Sequence, residues 1–405
     1  MTLDAEAIRQ RDEILEMIRQ DDIRAGVAPK TPKPIEDTVT VAWAASRNPL
    51  TGGEYYRATR PAALSSRDFG WHTAVVMDIG TVEGSKKVGG VAYGGTHVIE
   101  PDLWVFRPMG QQGRNDNWGL EEIVERIHAG GQKVMCDLDD DVWGHEDWDP
   151  DNRPEGAEDD KFETWCWKVD GWLVSTQYLA DRIHEIAARR GSPPQRVVVA
   201  PNCFDPIGLG HDSHPVFGRR IGTRLWLSGR MSGDLEIYRE CFAPLLEELD
   251  LTWVHIGREH GIAEGPGQHA RNFVDDCDMP AARVLELPSV TIPELGRIMG
   301  QTISIAAIAM ADQPFNYAKT LTHAIEVASA GLPMVAATPL ALYDEVPGRV
   351  YPNPKAVKER VQYLLDAEHW RHESQRARVW ARKESVRSEA TYMRALQSLV
   401  KELLG

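Results

Sequence analysis

The residues best suited to bind a charged ligand lie in the segment 312–326. We predict a loop from Asp312 to Lys319 after a strand, and then a helix capped by Thr320. The N–H groups that begin a helix and the charge of Lys319 both attract phosphate. Glu326 lies about one and a half turns into this helix, where its two oxygens could accept hydrogen bonds from two ribose hydroxyls. Taken alone, Glu326 could equally be a solvated helix glutamate.

A second cation stands in SGRMSGDLEIY, residues 228–238, some eighty residues earlier. Arg230 follows Ser228 and Gly229 and could converge with Lys319 on a diphosphate. We therefore expect these segments, with Asn316, to form one binding site for a nucleotide diphosphate.

Two further segments follow predicted strands in the first half of the chain. Gly52 and Gly53 lie in the loop after the first predicted strand and could let the backbone approach a ligand closely. Tyr56 and Arg57 follow on the next predicted helix, near the same loop. The alternative is an ordinary glycine turn before a helix.

The acidic turn DLDDDVW contains Asp137, Asp139, Asp140 and Asp141, followed by Trp143. An Asp-x-Asp pair could hold Mg²⁺ or Mn²⁺ through oxygen ligands. The alternative, which we adopt, is a structural acidic turn that helps to line the acceptor side of a cleft and binds no metal.

The elements that would position these residues are short apolar strands alternating with amphipathic helices. This alternation predicts parallel sheets built from βαβ units. We expect two doubly wound Rossmann-like domains facing a cleft. The predicted regions are an N-terminal helix and linker (1–36), an acceptor-side domain (37–205), a linker (206–221), a nucleotide-sugar donor domain (222–380) and a C-terminal helix that crosses back (381–405).

Predicted strand positions follow the apolar runs. In the first domain the strands are predicted at 39–45, 74–78, 103–106, 133–138, 171–175 and 196–200. In the second domain they are predicted at 224–228, 251–257, 283–287, 302–306 and 333–337.

Composition narrows the classes of partner. The 405 residues contain 61 acidic and 45 basic side chains, for a formal net charge of −16. Such a surface repels nucleic acids and anionic membranes.

The five cysteines are scattered without metal-ligand spacing, which predicts a reduced, cytoplasmic chain. The longest apolar run, 303–311, is about half the length needed to span a bilayer, so no integral membrane segment is expected.

A family resemblance rests on these motifs. The pattern N-x-x-K-T-x-x-H-x-x-E-x-x-x-x-G-x-P-M-V-A, from Asn316 to Ala336, resembles the donor-site signature of retaining, group-1-like GT-B glycosyltransferases. SGRMSGDLEIY resembles their second donor loop. GGEYYRATRP, DLDDDVW, VST and VAPN resemble a subgroup found among bacterial surface-polysaccharide and phage-encoded transferases. The matches span roughly residues 38 to 380.

The resemblance implies a role for each motif residue. Arg230 and Lys319 would contact the diphosphate and act as the catalytic cations, Gly53 would face the diphosphate and sugar, and Glu326 would bind the ribose. The implied donor-binding set is Gly52, Gly53, Ser228, Gly229, Arg230, Asn316, Lys319, Thr320 and Glu326. The acceptor-side set is Tyr56, Arg57, Asp139, Asp140, Asp141 and Trp143.

The sequence departs from that signature at two positions. Ala318 stands where the first of two glutamates is usual, and Leu235 stands where a lysine is usual. Asp312 is the acid that could replace the glutamate.

The function predicted from these motifs is transfer of a sugar from a nucleotide-diphosphate donor to a hydroxyl of a glycan or protein. We expect retention of stereochemistry, no metal or other cofactor, and a location in the cytoplasm of a bacterium or phage-infected bacterium. The alternatives are a non-catalytic nucleotide-sugar or glycan-binding protein and a sugar-nucleotide epimerase on the same fold. A nicotinamide dehydrogenase is excluded because no G-x-G-x-x-G follows the first strand.

Overall fold

The chain forms two compact α/β units. The computed structural model describes residues 39–45, 55–77, 91–93, 97–99, 101–107, 118–143, 165–193, 195–205, 209–210, 213–224, 232–258, 277–288 and 290–405. Within these residues the first unit contains 39–143, 165–205 and 387–405, and the second contains 206–386.

The first unit is built on a parallel six-stranded sheet in the order β2-β1-β5-β6-β7-β8. Its core strands are almost entirely apolar, as expected for strands that helices cover on both faces. A separate antiparallel pair, β3 and β4, was not predicted from the sequence. The strands are β1 (Thr40–Ala45), β2 (His72–Met77), β3 (Val91–Tyr93), β4 (His97–Ile99), β5 (Leu103–Phe106), β6 (Lys133–Leu138), β7 (Gly171–Val174) and β8 (Val197–Val199).

Among the described residues of the first unit, three helices connect these strands. A buried π-helical turn, Tyr55–Thr59, leads into α1 (Arg60–Phe69). Helix α2 is Trp118–Ala129, and α3 is Gln177–Arg190. The Thr176 side chain accepts a hydrogen bond from the Leu179 N–H, which caps α3 and fixes where it begins.

The second unit contains a parallel six-stranded sheet in the order β11-β10-β9-β12-β13-β14. The chain enters at the central strand β9, runs to one edge, and then returns to the other side of β9 at β12. This reversal is the topological switch point of a doubly wound sheet, where ligands bind beyond the carboxyl ends of the strands. The strands are β9 (Arg220–Arg224), β10 (Thr252–Arg258), β11 (Val284–Pro288), β12 (Ile305–Ala309), β13 (Met334–Ala337) and β14 (Arg349–Val350).

Helices of the second unit alternate with its strands. A π-helical turn, Tyr238–Phe242, joins α4 and α5. The helices are α4 (Ser232–Ile237), α5 (Ala243–Glu248), α6 (Ile292–Thr302), α7 (Pro314–Tyr317), α8 (Thr322–Ser329), α9 (Pro354–Leu364) and α10 (Ala367–Leu404). Helix α10 has 38 residues, and its last part, from residue 387, belongs to the first unit.

The described parts of β9 and β12 overlap their predicted ranges at one end only. The strand predicted at 224–228 lies outside the described residues except for Arg224, where the described strand β9 (Arg220–Arg224) ends. The pairing of β9 with β10 and β12 places it in the sheet. The strand predicted at 302–306 is β12, at Ile305–Ala309, since the continuous apolar run 303–311 does not mark where a strand begins.

A buried ion pair lies at the carboxyl end of β6 in the first unit. Arg57 Nε donates to Asp137 Oδ1 at 2.6 Å, and Arg57 Nη1 donates to the Ala200 carbonyl at 2.5 Å. The Tyr392 hydroxyl on α10 donates to Asp137 Oδ2 at 3.1 Å. Burial disfavours the guanidinium charge, but Asp137 more than compensates and raises the pKa of Arg57. Burial raises the pKa of the Asp137 carboxyl, and the charges of Arg57 and Arg107 oppose that rise. Each charge in the core therefore depends on its partner.

We predict that Arg57→Met lowers the free energy of unfolding by about 3–5 kcal/mol, because it leaves the Asp137 carboxylate buried without its cation. Urea denaturation measures this. Arg126→Met is the matched control, since the pair of Arg126 with Glu122 is exposed and should contribute less than about 1 kcal/mol. Equal losses in the two variants would contradict the role given to the buried pair.

Candidate functional site

The candidate site lies at the carboxyl edge of the second sheet. Strands β9 and β12 are parallel neighbours, so their ends at Arg224 and Ala309 lie at the same edge. After β12 the chain passes through the segment 310–313, the short helix α7 and then Lys319 before α8 begins. We call residues 311–319 the β12–α8 loop.

Two catalytic cations are predicted, Arg230 and Lys319. Lys319 is the one that belongs to the described residues, and it lies at this edge of the sheet. Its side chain is half-buried, and its Nζ atom lies 4.0 Å from the centroid of the Phe315 ring. A cation over an aromatic face is held in place without losing its charge. Lys319 can therefore present a fixed positive charge to an anion.

Asn316 orders the β12–α8 loop. It is buried, and its Nδ2 atom donates to Asp234 Oδ1 at 2.9 Å and to the Ala311 carbonyl at 3.0 Å. Asp234 Oδ1 also accepts from the Ala311 N–H at 2.6 Å. The prediction that Asn316 faces a ligand is therefore corrected, because its amide group binds the loop itself.

Glu326 is neither a solvated glutamate nor a two-oxygen ligand for ribose. It is 1% exposed, and its Oε1 atom accepts a hydrogen bond from Arg224 Nη1 in a buried ion pair. His323 Nδ1 lies 3.6 Å from Oε2. The predicted arrangement, with both oxygens facing a ribose, is corrected because the protein engages one of them.

The electrostatics of this pair favour the charged carboxylate. Burial alone would raise the pKa of Glu326, but the charge of Arg224 and the contact with His323 outweigh it and lower the pKa to about 2. Glu326 is therefore ionised throughout the physiological range. Its charge fixes α8 to the end of β9.

The start of α8 differs from the prediction. The helix begins at Thr322, and its N-cap residue is Leu321, which makes no side-chain hydrogen bond. Thr320 does not cap the helix; its Oγ1 lies 2.8 Å from Thr322 Oγ1. Thr320 therefore lies one residue too early to serve as the cap.

The other end of α8 is held by side chains from distant segments. Ser213 Oγ donates to the Ala330 carbonyl at 2.6 Å, and Ser374 Oγ donates to the Gly331 carbonyl at 2.5 Å. Gly331 has a φ of 75°, and a Cβ there would lie 2.2 Å from Arg378 Nε. Helix α8 is thus held near its middle by Glu326 and at its C-terminal end by the two serines.

The structure places two predicted acceptor-side residues in the core of the first unit. Tyr56 is buried with its ring centroid 4.9 Å from that of Phe204. Arg57 is fully buried in its pair with Asp137. The prediction that these two side chains line an acceptor mouth is corrected, since neither reaches solvent.

The acidic turn after β6 is largely tied to the protein. Asp139 pairs with Arg107 at 2.7 Å. Asp141 is buried, and its oxygens accept from the Trp143 N–H at 3.1 Å and the Tyr178 hydroxyl at 3.0 Å. Asp141 and Trp143 are therefore structural, a correction of their predicted acceptor-side position, whereas Asp139 and Asp140 stay half-buried.

Metal ligands are not clustered in the described part of the chain. No group of three or more histidine, cysteine, aspartate or glutamate side chains is arranged there to hold a metal ion. In the same residues, no helix is both long and apolar enough to cross a membrane.

Five predicted ligand residues lie outside the described residues. They are Gly52, Gly53, Ser228, Gly229 and Arg230. Their positions relative to Lys319 remain sequence-based predictions.

Four residues that stabilise these segments through buried ion pairs or hydrogen bonds were not predicted from the sequence. Arg224 and Asp234 lie in the second unit, and Arg107 and Tyr392 in the first. Asp234 lies within the motif SGRMSGDLEIY and directly follows Ser232 and Gly233. An acidic residue in the first turn of a helix is a recognised sequence feature, so the position of Asp234 at the start of a helix could have been predicted. The pairing of Arg224 with Glu326 spans 102 residues and leaves no local pattern.

We predict that Glu326→Gln lowers the free energy of unfolding by about 3 kcal/mol at pH 7, because a pKa lowered from 4.5 to about 2 stabilises the fold whenever the carboxylate is ionised. This stabilisation is complete above about pH 4.5 and is lost as the pH falls toward 2. Urea denaturation of wild type and variant from pH 7 to pH 3 measures the difference. Glu359→Gln, at an exposed site, is the control. A difference that does not shrink in acid would contradict the assignment.

Comparisons with known proteins identify the fold. No family model matches the sequence, and no curated protein matches it either. A solved structure from E. coli, described as trehalose-6-phosphate bound with UDP-2-fluoro glucose, is 10% identical and has a TM-score of 0.55. The match covers 90% of this chain and 99% of that one.

Two other solved structures have lower TM-scores. Anabaena Alr3699/HepE in complex with UDP is 12% identical with a TM-score of 0.48, and the match covers 89% of this chain and all of that one. The pneumococcal O-GlcNAc transferase GtfA in complex with UDP and GlcNAc is 15% identical with a TM-score of 0.45, covering 75% and 57%. The fold assignment rests on the E. coli structure together with the two parallel sheets. The chain therefore has the two-domain α/β architecture of the GT-B fold, as the motifs predict.

Proposed function

We propose that this protein is a glycosyltransferase that moves a sugar from a nucleoside diphosphate to an acceptor hydroxyl. The observation that carries the proposal is the fixed charge of Lys319 on the β12–α8 loop, at the switch point of a doubly wound sheet. The donor motif from Asn316 to Ala336 supports the same function, and so does the GT-B fold.

The chemistry required of such a site is stabilisation of the leaving group. As the glycosidic bond breaks, negative charge grows on the diphosphate, and preorganised cations and N–H donors lower that barrier. Lys319 would supply one cation and Arg230 a second. The N-cap residue Leu321 has no side-chain acceptor, so it does not compete with a phosphate for the first N–H groups of α8.

The donor end of the site also needs a group that contacts the sugar. Ala318 is fully buried, so this position cannot supply one. Asp312 is exposed six residues earlier, and its Oδ1 accepts from the Tyr317 hydroxyl at 2.6 Å. We assign Asp312 as the carboxylate that faces the donor sugar.

Retention of stereochemistry follows from the family resemblance and is tested by the anomeric configuration of the product in NMR.

A second candidate is a nucleotide-sugar-binding protein without transferase activity. Ala318 favours it, because the usual first glutamate is missing. Nucleotide release from a donor in the presence and absence of acceptor separates the two candidates, since a binding protein releases none.

We predict that Lys319→Met lowers kcat by on the order of a hundredfold with little change in donor affinity, because the charge acts on the breaking bond. Methionine keeps the apolar stem over Phe315. Steady-state kinetics measure kcat and KM, and thermal unfolding checks the fold.

The matched control is Lys355→Met, since Lys355 is 85% exposed at the start of α9 in the same unit. Its kinetics should equal those of the wild type. Near-normal kcat in a folded Lys319→Met variant would remove Lys319 from the mechanism.

We predict that transferase activity does not depend on a divalent cation. The pairing of Asp139 with Arg107 and the burial of Asp141 leave the acidic turn poorly suited to bind one. The measurement is the rate before and after dialysis against EDTA. Loss of activity that Mn²⁺ restores would show that a metal takes part.

A further inference from the structure

Asp234 connects two segments at the edge of the second sheet. It is 5% exposed and lies in α4, which begins two residues after the predicted donor-binding residues 228–230. One carboxylate oxygen, Oδ1, accepts both the Ala311 N–H and Asn316 Nδ2. A single oxygen therefore binds the β12–α8 loop at its first residue and again near its middle.

The packing between these segments is close. A Cβ at Gly233 would lie 2.7 Å from Ala311 Cβ, so α4 has no room for a side chain there. Because the two segments touch at this point, Asp234 lies within the contact that α4 makes with the loop carrying Lys319.

The surroundings of Asp234 are weakly polar for a carboxylate. Burial raises its pKa to about 7, although the hydrogen bonds from Ala311 and Asn316 and the charge of Lys319 oppose the rise. The other titratable groups that act on it are the hydroxyls of Tyr238, on the π-helical turn, and Tyr343. Burial raises the pKa of both tyrosines, so both are neutral at physiological pH.

We propose that Asp234 is a positioning residue that holds the β12–α8 loop and takes up a proton when an anionic donor binds beside Lys319. The inference rests on the proposed function, because it requires a diphosphate at Lys319. Lys319 supports the charge of Asp234 in the free protein, whereas in the complex its charge is shared with the diphosphate. The proton comes from solvent and bonds to the carboxylate.

Proton uptake need not disturb the loop. The Ala311 N–H and Asn316 Nδ2 are both donors, and the carbonyl oxygen of a neutral carboxylic acid still accepts from donors. The loop therefore keeps its position while the repulsion between Asp234 and the diphosphate disappears. Donor affinity should then rise as the pH falls toward about 7 and level off below it, where the free protein is protonated as well.

Isothermal titration calorimetry with UDP-glucose, ADP-glucose, GDP-mannose and dTDP-glucose tests this. These diesters lack the phosphomonoester ionisation near pH 6, so the ligand itself does not titrate. For the donor that binds, we expect affinity to increase about tenfold from pH 8 to pH 6. Titrations at pH 8 in two buffers of different ionisation enthalpy should show uptake of close to one proton.

Two variants at position 234 separate charge from positioning. Asp234→Asn keeps an oxygen acceptor for both donors but cannot titrate, so it should bind the donor at pH 8 about as tightly as the wild type does at pH 6, without proton uptake. Asp234→Ala loses the acceptor and should bind more weakly at every pH. Recovery of binding in Asp234→Asn relative to Asp234→Ala shows positioning, and the Asp234→Asn test stands even if Asp234→Ala fails to fold.

The matched control is Asp278→Asn. Asp278 is 72% exposed in the same unit, and its φ of 51° suits asparagine as well as aspartate. This control should keep the wild-type pH dependence and proton uptake. The inference is overturned if the wild type binds a donor without proton uptake, or if Asp234→Asn keeps the pH dependence, and either result leaves the proposed function standing. Failure of all four donors to bind the wild type would overturn both.

Discussion

The buried ion pair of Arg224 and Glu326 is the interaction on which the candidate site depends. Neither charge can exist alone at this depth, because a buried charge without its partner costs several kcal/mol. The pair therefore fixes α8 to the end of β9. Ser213, Ser374 and Arg378 hold the other end of α8 through the backbone at Ala330 and Gly331. The β12–α8 loop consequently leads into a helix that is held near its middle and at its C-terminal end, and such support favours the preorganisation that an electrostatic site requires.

The first unit also has a buried ion pair at the carboxyl edge of its sheet. Arg57 and Asp137 pair at the carboxyl end of β6, and Tyr392 brings α10 into the pair. In both units a motif residue with the chemistry of a ligand contact is instead a support for the edge of the sheet. Charged residues in such motifs can therefore support the scaffold.

The elements that were predicted correctly from the sequence are those that a local pattern of residues determines. Continuous apolar strands such as Leu103–Phe106 and Lys133–Leu138 were predicted at their observed bounds, because no other element has that pattern at that length. Strand β12 was misplaced because the continuous apolar run 303–311 does not mark where a strand begins. Burial of Arg57 and Glu326 was missed for another reason. Their partners lie 80 and 102 residues away, and charge alone suggests exposure.

Two buried carboxylates in the second unit show that the partner of a carboxylate determines whether its pKa is lowered or raised. Glu326 faces a guanidinium, so its pKa falls to about 2 and its charge is permanent. Asp234 faces neutral N–H donors, with Lys319 acting on it less strongly, so its pKa rises to about 7. Burial is similar at the two sites, and the difference is therefore set by the partner. A permanent charge suits a structural anchor, because it never changes under physiological conditions. A carboxylate that titrates near neutrality suits the edge of an anion site, because it can lose its charge when the ligand brings another.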